Sequence, residues 1–269
     1  MAGPIRVAVS GAAGRMGRAA VRAVAREPDL ALVGALGRTH AVGEDAGVVA
    51  GGAPLGVAIT ADLAAVLRAG AEVLVDFSPG PAAVEHARAA IPAGVCPVIG
   101  GTGITTPQID ELGRLCERHR LGAVVAPNFA LGAVLMMVFA RQAARYFPHA
   151  EVIEMHHDRK RDAPSGTAMK TAALIAQTRG EPPLPAVQEE ELAAGARGGR
   201  VEGVPVHSVR LPGLVAHQAV IFGGAGQTLT IRHDSINEES FMPGMLLAIR
   251  RVRTAGRLIY GLEPLLELG

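Results

Sequence analysis

Residues 151–168 read Glu-Val-Ile-Glu-Met-His-His-Asp-Arg-Lys-Arg-Asp-Ala-Pro-Ser-Gly-Thr-Ala, a span whose side chains can move a proton and hold an anion. His156 and His157 are adjacent and end a short extended segment. Neighbouring side chains of an extended chain point to opposite faces. The two imidazoles therefore take different roles, one toward a substrate and one bracing a carboxylate or a neighbouring loop, and Lys160 follows within reach of the same space. Asp162, Ala163, Pro164, Ser165, Gly166 and Thr167 then lead into the apolar, helix-favouring run 168–177. A proline in the first turn, hydroxyls at Ser165 and Thr167, and a glycine that lets a ligand approach the backbone make an anion site at a helix N-terminus. Such a site, with the Lys160 ammonium beside it, suits a small dicarboxylate. A His pair, some solvated basic residues and an ordinary capped helix would give much the same composition, and short motifs match by chance.

A second chemical signal lies at the N-terminal end. Residues 5–9 form a compact apolar strand, followed at once by Ser10-Gly11-Ala12-Ala13-Gly14-Arg15-Met16-Gly17 and a helix over about 15–26. Strand, glycine turn and helix in that order give a G-x-x-G-x-x-G variant of the dinucleotide fingerprint. Gly11 permits the tight turn, Gly14 the approach of a pyrophosphate, and Gly17 close packing of the helix on the sheet. A plain strand-to-helix turn is the competing reading in a chain with 34 glycines. A second strand, 30–36, ends at Gly37-Arg38-Thr39. An NAD-selective domain places an acid here for the ribose 2′-hydroxyl, whereas Arg suits a 2′-phosphate. Arg38 is either that group or a solvated surface residue.

The elements that must position these residues follow from composition and periodicity. The 269 residues suffice for two modest domains or one large one. Hydrophobic residues make up 49%, yet Trp is absent and aromatics are 3%, so the core is built from Ala, Val, Leu and Ile. The formal charge of +1, with no basic block and no aromatic platform, gives no reason to expect a nucleic-acid partner. Cys96 and Cys116 lack any Cys-x-x-Cys or ligand spacing, so neither zinc nor a disulfide is expected, and no metal site. The N-terminus lacks a signal peptide pattern, and the apolar run 129–140 is too short to span a bilayer. A soluble cytoplasmic protein without a membrane partner is the expectation.

Short apolar strands at 57–60, 72–76, 96–99 and 122–126 alternate with helical stretches at 62–69, 81–93 and 107–120. That is the pattern of a parallel sheet covered by helices, with ligands beyond the carboxyl ends of its strands. The segment 41–56 is glycine-rich and without steady period, and reads as a flexible loop. Three strand ends carry turn chemistry: Asp76-Phe77-Ser78-Pro79, Gly100-Gly101-Thr102-Gly103 and Ala126-Pro127-Asn128-Phe129. Each is also ordinary turn punctuation. A helix over 131–147 leads into the second half. Residues 180–203, with Pro182, Pro183, Pro185 and the Glu run 189–191, read as an exposed connection. Strands at 204–210, 215–222 and 228–233 then suggest an antiparallel or mixed sheet. A helix over 241–252 precedes an apolar tail, 257–268, expected to return to the first domain.

The string Glu151-x-x-Glu154-x-His156-His157-x-x-Lys160-x-Asp162-Ala163-Pro164-Ser165-Gly166-Thr167-Ala168 resembles the signature of bacterial 4-hydroxy-tetrahydrodipicolinate (dihydrodipicolinate) reductases, and the resemblance extends over nearly the whole chain. It implies an α/β fold: a discontinuous Rossmann-like dinucleotide-binding domain over 1–129 and 240–269, and an α+β substrate-binding domain over 130–239. The second domain's sheet would build a homotetramer. It implies hydride transfer from NADPH or NADH to a small dicarboxylate in diaminopimelate and lysine biosynthesis. The absence of an acid at Gly37 argues for use of both cofactors with NADPH favoured. By position, His156 would be the proton donor and acceptor and Lys160 a second donor. His157, Ser165, Gly166, Thr167 and Thr102 would bind substrate. Gly11, Ala12, Ala13, Gly14, Arg15, Met16, Arg38, Gly100, Gly101, Thr102, Ala126, Pro127, Asn128 and Phe129 would bind cofactor. Two departures stand out: relatives commonly carry Thr at the place of Gly101 and Arg at the place of Glu238. A dehydrogenase for aldehydes or sugars would need a different active-site string. A cofactor-sensing regulator that had lost its chemistry would not keep both His156 and Lys160.

Overall fold

The computed structural model describes residues 3–181, 187 and 190–267. It divides into two compact units, residues up to Phe129 with those from Glu238 onward, and Ala130–Asn237.

The first unit opens with β1 (Ile5–Ser10), α1 (Arg15–Arg26), β2 (Leu30–Leu36), α2 (Ala46–Val49) and β3 (Ile59–Thr60). It continues with α3 (Leu63–Arg68), β4 (Val73–Asp76), α4 (Gly80–Ala90), β5 (Cys96–Ile99), α5 (Thr106–His119) and β6 (Ala123–Val125). All residues of β4, β5 and β6 are buried, the mark of a parallel sheet covered on both faces. Residues 41–56, expected as a flexible loop, are instead wound around one carboxylate. Asp45 caps α2 through the N–H groups of Gly47 and Val48, and also accepts from those of Leu55, Gly56 and Val57. Those donors hold its pKa below the ordinary carboxylate range, the Leu55 bond foremost.

The second unit runs α6 (Leu131–Ala143), β7 (His149–His156), α7 (Gly166–Arg179), β8 (Gly199–Val201), β9 (Val204–Arg210), β10 (Ala216–Gly224) and β11 (Gln227–Ser235). Its sheet has the order β11-β10-β7-β9-β8 and is mixed: β7 and β9 pair parallel, the other pairs antiparallel. α6 stops at Ala143, short of the expected 147. β8 adds a strand at the end of what was expected to be a plain connection. Within that connection, Pro182, Pro183, Pro185 and Glu189 lie outside the described residues.

After α8 (Met242–Val252), β12 (Leu258–Tyr260) joins the first sheet beside β6, completing seven parallel strands in the order β12-β6-β5-β4-β1-β2-β3. The direction of strand order reverses between β1 and β4, the switch point at which such sheets bind ligands. The core is small-residue packing, as the composition requires. Ala83, Val84 and Ala87 of α4 meet Ile99, Leu112, Cys116 and Val125, while Ala8, Leu36, Val66 and Leu74 form a second cluster. Both cysteines are buried free thiols, and burial pushes the Cys116 pKa up to about 11. Among the described residues no helix is long and apolar enough to cross a membrane.

Candidate active site

On β7 the inward register runs Ala150, Val152, Glu154, His156, since alternate residues share a face. Ala150 and Val152 are buried as core residues, and the next position in that register is a carboxylate with no exposed surface. A charge so placed must be paired. Glu154 Oε2 accepts from His156 Nδ1 at 2.5 Å and from Arg210 Nη1 at 2.9 Å; Oε1 accepts from Arg210 Nη2 at 2.7 Å and from the Ser165 N–H at 3.2 Å. The register explains the meeting: β9 lies parallel to β7 with Ser208 opposite Glu154 and Arg210 opposite His156. Burial works to raise the Glu154 pKa, but Arg210, Ser208 and His156 together outweigh it and hold it below the usual value. For His156 burial dominates and lowers the pKa, the bond to Glu154 opposing it.

Arg210 also donates to the carbonyl oxygen of Asp162 at 2.7 Å, tying the segment after β7 to the sheet. In that segment Lys160 Nζ pairs with both oxygens of Asp162. The Nδ1 of His157 is buried and finds no hydrogen-bond partner among the described residues. Ser165 is the N-cap of α7, its hydroxyl oxygen accepting from the Ala168 N–H at 3.2 Å. A Cβ on Gly166 would meet no atom within 4 Å, so the first turn of α7 is open to an approaching group. Behind it Gln218, opposite Glu154 on β10, donates to Thr171, whose hydroxyl bonds the Thr167 carbonyl. The second unit thus brings His156, Lys160, Ser165, Gly166 and Thr167 around one helix end. From the sequence alone Glu154 is named only as a letter of the signature string, and Arg210 is not named. The readable signal was a Glu in the buried register of a strand beside Val152.

In the first unit the glycine turn has the shape a dinucleotide needs. Gly11 sits at φ +72, and a Cβ on Gly17 would lie 2.0 Å from the Gly11 carbonyl oxygen. The close packing at Gly17 is therefore against the turn's own backbone rather than the sheet. Gly14 begins α1 with no side-chain cap, leaving first-turn N–H groups for a pyrophosphate. Ala12 is buried beneath this turn, Ala13 and Met16 are half-buried, and Arg15 is exposed. Residues Gly11 to Met16 fit a nicotinamide dinucleotide. Arg38 is exposed at the end of β2. Beyond β5, Gly100 lies against the rings of Phe77 and Phe129, which meet edge-on at 6.0 Å. A Cβ on Gly101 would stand 2.3 Å from the Ser78 carbonyl oxygen, so the backbone of this chain leaves no room for a side chain at that position. Thr102 is exposed beside it; after β6, Ala126 and Phe129 are buried, Asn128 is half-buried and Pro127 is exposed. Glu238 pairs with Arg15 at 3.1 Å, so this acid answers a charge in the first turn of α1.

A buried polar cluster marks the switch point. His86 Nδ1 lies 2.7 Å from Asp76 Oδ2 and 3.3 Å from Ser10 Oγ, and Ser10 and Ser78 share a hydroxyl contact at 3.0 Å. A hydrolytic triad needs the acid and the nucleophile on opposite ring nitrogens. Here both face Nδ1, so the cluster braces the ends of β1 and β4.

Comparison with known proteins agrees with this geometry. The family profile described as dihydrodipicolinate reductase, N-terminus, matches residues 5–129, and the one described as dihydrodipicolinate reductase, C-terminus, matches residues 132–266. The chain belongs to the dihydrodipicolinate reductase family. It is 57% identical over 268 residues to the 4-hydroxy-tetrahydrodipicolinate reductase of Moorella thermoacetica, covering 99% of this chain and 100% of that one. It is 49% identical to the enzyme of the same name from Desulfitobacterium hafniense, with 98% and 99% covered. Among solved structures, the dipicolinate-bound dihydrodipicolinate reductase from Paenisporosarcina sp. TG-14 superposes with a TM-score of 0.88 at 44% identity, covering 98% of this chain and 100% of that one. Membership in the dihydrodipicolinate reductase family makes the chain an oxidoreductase that works with a nicotinamide cofactor.

Proposed function

We propose that this chain reduces 4-hydroxy-tetrahydrodipicolinate to tetrahydrodipicolinate in diaminopimelate and lysine biosynthesis, with His156 as the proton donor. The observation that carries the assignment is an imidazole bonded through Nδ1 to a buried carboxylate, within a segment that leads to the open N-terminus of α7. The substrate loses water, and the dehydrated ring takes up one hydride and one proton. The bound nicotinamide supplies the hydride. In the substrate complex His156 is the imidazolium and gives up the proton on Nε2, because Nδ1 is committed to Glu154, and imidazole suits transfer near neutral pH. Lys160, His157, Ser165, Gly166 and Thr167 receive the carboxylates, the dipole of α7 and the open approach over Gly166 favouring an anion there. Thr102 is a further substrate-binding residue.

Gly11, Ala12, Ala13, Gly14, Arg15 and Met16 hold the pyrophosphate, and Gly100, Gly101, Thr102 and the residues from Ala126 to Phe129 line the nicotinamide. Both NADH and NADPH serve, NADPH being bound more tightly through Arg38. The chain works in the cytoplasm as a homotetramer built on the sheet of the second unit.

The test is turnover followed by nicotinamide absorbance, with the substrate generated enzymatically, for the native chain and His156→Gln. The variant is expected to keep its cofactor affinity while kcat falls by about two to four orders of magnitude, the usual worth of a general acid. Pyridine-2,6-dicarboxylate should inhibit competitively, and Thr167→Val should weaken it by about 1–3 kcal/mol. Near-native kcat in His156→Gln would remove the assignment of His156. No turnover of this substrate by the native chain would remove the reaction.

A further inference from the structure

His156 does not meet Glu154 alone. The same carboxylate is gripped on both oxygens by Arg210, which approaches from the neighbouring strand and is itself largely buried. An isolated buried carboxylate 2.5 Å from an imidazole would favour the imidazolium strongly, and a proton so held is a poor one to give away. A guanidinium that forks onto both oxygens neutralises that carboxylate while leaving it in place as a hydrogen-bond acceptor.

We propose that Glu154 and Arg210 are a positioning pair for His156: the carboxylate fixes the ring with Nε2 toward the reaction, and the guanidinium keeps that carboxylate from locking the proton onto the ring. Neither residue touches the reacting atoms. The pair also sets the ring against the anion site. Glu154 Oε1 accepts from the N–H of Ser165, the N-cap of α7, and Arg210 holds the Asp162 carbonyl. The carboxylate–guanidinium pair thus registers the proton donor, the start of the helix and the intervening segment.

The charged groups facing His156 are few. Glu154 stands on its own strand, Arg210 comes from β9, and Lys160, already paired with Asp162, comes from the segment between β7 and α7. β10 presents the uncharged Ala216 opposite His156, and α7 presents the Ser165 cap. Burial lowers the His156 pKa, and Lys160 and Arg210 push in the same direction. Arg210 is the charge that a substitution can remove without altering the contact between Glu154 and His156.

This inference rests on His156 as proton donor, and the experiment separates the two. The ring nitrogens of His156 are titrated by NMR in the substrate-free protein, and the pH dependence of kcat/KM is measured alongside, for the native chain, Glu154→Gln, Arg210→Met and Arg210→Lys. Arg210→Met should raise the NMR midpoint by about one pH unit or more, a tenfold gain in proton affinity, and Glu154→Gln should lower it by a similar amount. In both, kcat should fall while KM for the substrate changes little, and Nδ1 should remain the protonated nitrogen of the neutral ring. Arg210→Lys keeps the charge but loses the fork, so its midpoint should move less than that of Arg210→Met. Folding is checked by circular dichroism and by NADPH affinity. If Arg210→Met does not fold, Arg210→Lys and Glu154→Gln carry the test, with displacements in opposite directions expected. A midpoint unmoved in the folded variants overturns the pairing, as does a neutral ring protonated on Nε2. A kinetic midpoint in the native chain that does not follow the NMR midpoint instead overturns His156 as the donor, whatever the variants show.

Discussion

Lys160 reaches both carboxylate oxygens of Asp162, with Nζ 2.8 Å from each. Its ammonium also holds the Asp162 pKa below the ordinary value. A substrate carboxylate that recruits Lys160 must therefore compete with a resident anion. Asp162 is well exposed, so water screens the pair and its worth is about 0.5–1 kcal/mol. Asp162→Asn should tighten pyridine-2,6-dicarboxylate by about two- to fivefold in calorimetry, the same free energy released to the ligand. Lys160→Met should weaken it. Weaker binding in Asp162→Asn would mean that Asp162 orders Lys160 instead of competing for it.

Proton uptake on binding follows from the state of His156. Its folded pKa lies below the ordinary 6.5, chiefly through burial, so the free protein near pH 7 carries a neutral ring. A bound dianion favours the imidazolium and raises that pKa. Pyridine-2,6-dicarboxylate should therefore bind with uptake of a proton and more tightly as pH falls from about 8 toward 6.5. Calorimetry in two buffers of different ionisation enthalpy measures the uptake, and heats that do not differ between buffers would show that no proton moves. For stability the sign is opposite. The unfolded chain binds this proton more readily, so the stability due to neutral His156 is present above about 6.5 and is lost as pH falls below it.

The parts of this architecture that were legible in the sequence are those whose signal is local. β1, the glycine turn and α1 declare themselves through order and spacing, and the capped start of α7 follows from Ser165 and the apolar run behind it. α2 and its ordered loop are not legible because their anchor is one side chain, Asp45, bonded to backbone as far away as Val57, and backbone donors leave no trace in residue type. The Glu154–Arg210 contact spans 56 positions and depends on β7 and β9 lying side by side. Periodicity flags Glu154 as a charge in a core register, but only the strand pairing says which cation answers it. Asp76 and His86 illustrate the same limit across a strand and a helix.

That second pair carries its own prediction. Asp76 is almost fully buried, and its Oδ2 is held by His86 while Oδ1 accepts from the Ser78 N–H at 2.7 Å. His86→Leu leaves a buried carboxylate without that partner and should cost about 3 kcal/mol in denaturant unfolding. Ser10 and Ser78 join the cluster beside the glycine turn and the Phe77 ring, so NADPH affinity should fall as well. Unfolding free energy and cofactor dissociation constants, measured on the same preparation, check both effects. A stable variant with native cofactor affinity would reduce the cluster to incidental packing.

Cofactor choice is tested at Arg38 rather than at its neighbour. An acid at Gly37 would be the direct way to favour NADH, since it would grip the ribose hydroxyl and repel a 2′-phosphate. The fold resists that substitution. A Cβ on Gly37 would lie 2.7 Å from Cγ2 of the buried Ile59, and the Gly37 N–H is bonded to the Thr60 carbonyl. A changed cofactor affinity in Gly37→Glu would thus mix repacking with electrostatics. Arg38 is exposed, and its replacement by Gln leaves the end of β2 undisturbed. If its guanidinium meets the 2′-phosphate, Arg38→Gln should weaken NADPH by about fivefold, roughly 1 kcal/mol for a solvent-screened contact, and leave NADH unchanged. Raising the ionic strength from about 0.01 M to about 0.15 M shortens the screening length from about 30 Å to about 8 Å. The proposed preference of the native chain for NADPH should then shrink over that range, and the variant should show little salt dependence. Dissociation constants for both cofactors at the two salt concentrations decide the matter. Tighter native binding of NADH, or equal losses for both cofactors in the variant, would move the source of the preference elsewhere, the Asp45-centred segment after β2 being the next place to look.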